Sequence, residues 1–134
     1  MTEAPDICPA LRYEDAHAAV KQLTEAFGFT AHAVYEAEDG RIAHAELRFG
    51  NGMVMLGSTG TGSTFDRLMA SAGPVGVYVR VPDVDEHHAR AVAHGVEIVM
   101  PPTDQDYGSR DYMARDAGGN VWSFGTYAPG AAAG

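Results

Sequence analysis

Leu11-Arg12-Tyr13-Glu14-Asp15 and Val79-Arg80-Val81-Pro82-Asp83 carry one pattern twice, a short β-favouring run that ends on an aspartate placed to cap a helix. After Asp15, apolar residues recur at helical spacing (Ala16, Val20, Leu23, Phe27) and stop at Gly28. After Asp83 a second helix is predicted to run to His94 and stop at Gly95. The two spans from capping aspartate to terminal glycine, 15–28 and 83–95, differ by a single residue. A chain that repeats strand, cap, helix and glycine at matched lengths is built from two copies of one supersecondary unit.

The flanking segments complete each copy. Ile7–Tyr13 reads as a strand before the first helix, and Phe29–Glu36 and Arg41–Phe49 alternate around the turn Glu38-Asp39-Gly40. Asn51-Gly52 is expected to turn the chain into Met53–Leu56. In the second copy Val75–Val81, Val96–Met100, Ser109–Arg115 and Val121–Gly125 read as strands, the last two joined through Asp116-Ala117-Gly118-Gly119-Asn120. The prediction is an α+β fold of two βαβββ modules, with curved mixed sheets around a cavity and helices outside. Residues 1–57 form the first module and 75–127 the second. Residues 58–74 form a Gly/Ser-rich linker or lid with a helical turn at Phe65–Met69, and 128–134 a frayed small-residue tail, all within one domain.

Composition narrows the partners. With one Lys and eight Arg against eighteen carboxylates, the net charge of −9 argues against nucleic acid, whose phosphates are met by Lys and Arg. The first forty residues hold two basic and eight acidic side chains, a field that draws cations as well as conferring solubility. No apolar run nears the ~20 residues of a membrane span, and the first twenty residues lack the pattern of a secretory leader, so a cytoplasmic location without a membrane partner is expected. Cys8, the single cysteine, can form no internal disulfide.

Phe27-Gly28-Phe29, the run Asp39–Leu47, Val81–Asp85, Tyr107–Tyr112 and Arg115–Gly125 together resemble the vicinal oxygen chelate superfamily over about residues 7–127. That superfamily holds glyoxalase I, bleomycin-resistance proteins, fosfomycin-resistance enzymes and extradiol dioxygenases; the branch most similar is the glyoxalase-like one grouped with PhnB. The resemblance implies a homodimer, often with modules exchanged between chains, and a cavity enclosed by the sheets. It also implies, in metal-using members, ligands from the first and last strands of each module. In this chain those positions fall on Cys8 and Gly76 and on Met55 and Ser123, a set from which only Cys8 suits a borderline metal. No cofactor is therefore expected, with a divalent metal as the alternative.

Several residues bear on chemistry. His44, Glu46 and Arg48 are expected on one strand face, opposite Ala43, Ala45, Leu47 and Phe49. On a cavity wall His44 could act as a general base, and Glu46 could pair with Arg48 or with a cationic ligand; the alternatives are a solvated, salt-bridged face or a noncanonical metal site. Tyr107, Arg110 and Tyr112 are expected at the cavity rim, where they would stack on and orient a ligand. Met53, Met55, Tyr78 and Ser123 would face the cavity, and Trp122 and Phe124 the core. His87, His88 and His94 form only a loose stripe, read as a helix face. The Gly57–Thr64 stretch lacks the P-loop lysine, no serine sits in a nucleophile elbow, and Cys8 has only Arg12 near it in sequence.

Two function classes follow. One is a metal-independent protein of the glyoxalase/bleomycin-resistance type that binds a small organic molecule, a cationic one included, as in antibiotic sequestration. The other is a metal-dependent lyase, isomerase or dioxygenase using His44, Glu46 and Cys8 or residues near Ser123, in which a metal would polarise vicinal substrate oxygens. A third arrangement fills the cavity with the protein's own side chains and leaves function to the dimer surface.

Overall fold

The computed structural model describes residues 4–130. The chain forms two compact units, Met1–Gly73 and Pro74–Gly134, with no helix among the described residues long and apolar enough to cross a membrane.

The first unit contains β1 (Ala10–Tyr13), α1 (Ala16–Glu25), β2 (Thr30–Glu36), β3 (Ile42–Phe49), β4 (Gly52–Ser58) and α2 (Thr64–Leu68). Its sheet runs β1-β4-β3-β2, with β1 parallel to β4 and the other pairs antiparallel. The second unit repeats the plan with β5 (Gly76–Arg80), α3 (Val84–Ala93), β6 (Glu97–Asp104), β7 (Arg110–Arg115) and β8 (Val121–Gly125), ordered β5-β8-β7-β6. The expected two βαβββ modules are present, each an open four-stranded mixed sheet.

Both junctions work as the repeat implies. The Asp15 carboxylate accepts from Ala18 N and that of Asp83 from Glu86 N, each at 3.0 Å, satisfying a donor that every helix start leaves free. Gly28 and Gly95 stand at φ 85° and 74°, where a side chain would be strained. The buried stripe of α1 is Ala16, Ala19 and Leu23; Val20, expected in it, is half-buried, because the stripe rotates toward Ala19 as the helix leans on its sheet. With Phe27, Phe29, Ile42, Ala45, Leu47, Val54 and Leu56 it forms the first core. Each large side chain there contributes ~1.5–3 kcal/mol by burial. The second core gathers Val81, Val84, Ala91, Tyr112, Ala114, Trp122 and Phe124.

Several strand boundaries differ from the sequence reading. Ile7 is exposed and precedes β1, which begins at Ala10. The β3–β4 turn is made by Gly50 and Asn51, with Gly50 at φ 56° and Phe49 paired to Gly52. Glycine at the first turn position matches the twist of a hairpin, so the turn sits one residue earlier than Asn51-Gly52. β6 extends through Pro101 and Pro102 to Asp104, which this edge strand tolerates because its pairing with β7 is interrupted between Met100 and Thr103, where the two prolines stand. β4 likewise takes in Gly57 and Ser58, so the linker begins at Thr59; residues 131–134 of the expected tail lie outside the described residues.

β3 also carries a bulge. Tyr35 pairs with His44 but Glu36 with Ile42, leaving Ala43 as an extra residue. Ile42 is thereby buried with Ala45 and Leu47, although strict alternation would put it beside His44.

Candidate functional site

On the open face of the first sheet, β3 presents His44, Glu46 and Arg48, and the register sets Met55 beside Glu46 and Met53 beside Arg48. His44 Nε2 lies 2.8 Å from Glu46 Oε2, and His32 Nε2 lies 4.0 Å from Glu46 Oε1. The Tyr35 ring stacks on His44 with centroids 6.2 Å apart. Glu46 is thus engaged by histidines rather than by Arg48, whose buried Nη1 has no hydrogen-bond partner. The imidazole is oriented by a carboxylate on one nitrogen and stacked by a ring, an arrangement able to hold or pass a proton at the other nitrogen.

Residues 59–73 fold back over the other end of this face. Ser63 caps α2 by accepting from Asp66 N, and Asp66 gathers three donors: Arg12 Nη2, Gly60 N at 3.0 Å and Gly62 N at 3.1 Å. The Arg12 guanidinium, then the Gly62 and Gly60 amides, hold the Asp66 carboxyl at a pKa of about 2, below the ordinary 3.8. Arg12 Nη1 also donates to Met69 O at 2.9 Å, and Arg41 Nη1 to Gly60 O. Beneath this strap lies a cleft of about 410 Å³, lined by Ala10, Arg12, Ala43, His44, Met55, Gly57, Thr61, Phe65 and Asp66, among others. Gly57 keeps its floor low: a Cβ there would stand 3.2 Å from Ala43 O.

Sequence reasoning placed His44 and Met55 on this wall but missed Arg12, Phe65 and Asp66. The Ser63-to-Asp66 spacing, that of a helix cap followed by an acid three residues on, was the available signal.

In the second unit Trp122 and Phe124 pack under α3, fully buried, and Ser123 lies on the other face, paired to Tyr78 and Met113. The rim position expected for Tyr112 is corrected. It pairs with Phe124, is fully buried, and its Oη sits 2.6 Å from Nδ1 of the half-buried His87, with the His88 ring against its edge. Burial pushes the Tyr112 phenol well above its ordinary pKa of 10. Arg110, two residues earlier on the same strand face, is corrected for the same reason. Its guanidinium reaches Asp85 on α3 through Nε at 3.1 Å and Nη2 at 2.9 Å, and Asp104 through Nη1 at 3.1 Å. Alternation along β7 carries both residues to the helix side, away from Ser123. His94 caps α3 and is exposed.

Tyr78 and Tyr107 come together with Tyr127 and Asp111 on the Ser123 face. Tyr78 Oη donates to Tyr127 O at 2.6 Å, Tyr107 and Tyr127 rings meet edge to face at 5.9 Å, and the buried Asp111 carboxylate accepts from Gln105 Nε2 at 2.7 Å and from Tyr107 Oη at 3.4 Å. Burial first, then the Asp111 charge, raises the phenol pKa of both Tyr78 and Tyr107. Asp111, Gln105 and Tyr127 were not singled out from sequence.

The family's metal positions hold poor donors. Cys8 lies ahead of β1 with its Sγ 3.9 Å from Pro5 O, and Met55 offers a thioether on the cleft wall. In the second unit Gly76 has no side chain and Ser123 only a hydroxyl. This donor set does not fit a divalent metal at those positions. Among the described residues no three His, Cys, Asp or Glu side chains converge on a metal-sized space.

Comparison with known proteins agrees with this architecture. TioX from Micromonospora sp. ML1 superimposes with a TM-score of 0.78 at 37% identity, over 93% of this chain and all of that one. A glyoxalase I mutant from Zea mays shares the fold at a TM-score of 0.70 and 21% identity, over 89% of this chain and 43% of that one. The uncharacterized protein Mb0911c of Mycobacterium bovis is 30% identical over 125 residues, 90% of this chain and 82% of the relative. The Glyoxalase/Bleomycin resistance protein/Dioxygenase model matches residues 8–124, and with its two βαβββ modules the chain belongs to that superfamily.

Proposed function

We propose that the protein binds a small organic molecule in the cleft of its first unit, between the β-sheet face and the strap, without a metal at the family's usual positions. The observation that carries this reading is the cleft itself. Its volume of about 410 Å³ is that of a small-molecule site, and Met55, Phe65 and Ala10 supply an apolar lining with Arg12, His44 and Asp66 as its few polar groups. Apolar contact provides the affinity, and the His44–Glu46 pair beside the cleft fixes orientation and favours a ligand bearing a positive charge or a proton donor. The acidic surface of the chain raises the local concentration of such a ligand.

The protein acts as a homodimer in this reading. β2 is an edge strand in which every residue but Ala33 is exposed, and β6 is the corresponding edge of the second sheet; such edges are ordinarily covered.

A thermal-shift screen of small organic molecules, followed by calorimetric titration of the best hit, tests the reading. Ala10→Trp, at an exposed position on the cleft wall, should abolish binding without lowering the melting temperature. Undiminished affinity in that variant would place the ligand elsewhere.

A further inference from the structure

We propose that the open face of the second sheet carries a separate site for an organic ammonium ion, formed by Asp111 with Tyr78, Tyr107 and Tyr127. Asp111 is 5% exposed, yet the donors on its oxygens, Gln105 Nε2 and Tyr107 Oη, are both neutral, and no Lys, Arg or His forms an ion pair with it among the described residues. Arg110, its neighbour in sequence, is held on the opposite face by Asp85 and Asp104. A buried carboxylate is ordinarily compensated by a cation, and this one is not. Its two oxygens offer about four acceptor positions, of which the neighbours use two.

What surrounds the carboxylate is aromatic. Tyr107 and Tyr127 are exposed, at 65% and 51%, and meet edge to face, so ring area is turned to solvent beside the charge. The Tyr78 ring is held close by two features. Its Oη is bonded to Tyr127 O, and Gly125 leaves the space it occupies: a Cβ at Gly125 would stand 2.8 Å from Tyr78 Oη and 2.9 Å from Asp111 Cβ. Ring faces and a carboxylate both attract a cation and both disfavour an anion. An alkyl or benzyl ammonium satisfies each element at once, placing N–H donors on Asp111 and its hydrocarbon on the rings. The site lies wholly within residues 78–127 and does not depend on the cleft of the first unit.

The test is an NMR titration of the ¹⁵N-labelled full chain with benzylammonium, using benzyl alcohol as a control of the same shape without the charge. Saturable shifts at the amides of Tyr107, Asp111 and Tyr127 are expected for benzylammonium only. Asp111→Asn should weaken binding at least about tenfold, and Tyr107→Leu, at an exposed position that leaves the fold intact, about three- to tenfold. Absence of saturation to about 50 mM, which corresponds to less than ~2 kcal/mol of binding, overturns the proposal. So does equal affinity for benzyl alcohol, or unchanged affinity in Tyr107→Leu. Shifts confined to His44, Met55 and Phe65 would instead report the first-unit cleft and equally overturn the ammonium site.

Discussion

Trp122 Nε1 donates to Asp116 Oδ2 at 2.8 Å, tying the largest fully buried side chain of the second core to the turn that precedes its strand. The same carboxylate accepts from Gly118 N and Asn120 N, each at 2.9 Å, and from Asn120 Nδ2 at 3.2 Å. Asp116→Ala strands Trp122 Nε1 and the two Asn120 donors in a buried place and should destabilise the protein by about 3 kcal/mol or more. Urea unfolding followed by tryptophan fluorescence measures it; a loss below about 1 kcal/mol would show that water replaces the carboxylate.

Tyr112 and Arg110 should behave as structural residues. Tyr112→Phe removes the hydroxyl that meets His87 Nδ1 and should cost about 1–3 kcal/mol while leaving ligand affinity unchanged. Arg110→Ala should lower the melting temperature at low salt and little at high salt, since its partners Asp85 and Asp104 are exposed and screened. Loss of ligand affinity in either variant would return it to the site.

The strap should respond to acid. Asp66 has its carboxyl held at about 2 in the folded chain against 3.8 unfolded, so it stabilises fully above about pH 4, and that contribution is lost as pH falls toward 2. Amide protection at residues 60–69, taken relative to the intrinsic exchange rate at each pH, should fall over that interval. Asp66→Asn should show the lower protection already at neutral pH and no further loss between pH 4 and 2. An identical pH profile in the variant would mean that another group closes the strap.

Glu46→Gln separates orientation from charge at the first-unit cleft. The amide keeps the shape and a hydrogen bond to His44, so stability should stay within about 0.5 kcal/mol, while a cationic hit from the screen loses affinity and a neutral one does not. Calorimetry on the matched pair of ligands decides it; equal losses would make the role of Glu46 steric.

The repeat was legible because it rests on local signals. Asp15, Asp83, Gly28 and Gly95 each act within one turn of chain, and the alternation of Ala45 and Leu47 against His44 and Glu46 survives folding unchanged. What was not legible depended on strand parity relative to a distant partner. Arg110 and Tyr112 look like ligand contacts by residue type, but their face is set by pairing with β8 and packing under α3, which no local pattern reveals. Asp111, between them, points the other way and was passed over. Arg12 and Asp66 meet only because the strap folds back, a contact between residues far apart in the chain.

The extra residue at Ala43 sets what lengths of β3 evolution can accept. Removing Ala43 itself would bring Ile42 next to His44, and strict alternation would then keep Ile42 with Ala45 and Leu47 in the first core and His44, Glu46 and Arg48 on the open face. Removing a residue between His44 and Leu47 instead breaks the parity, so that either Leu47 leaves the core or His44 enters it. Homologues that lose a residue from β3 should lose it at the bulge.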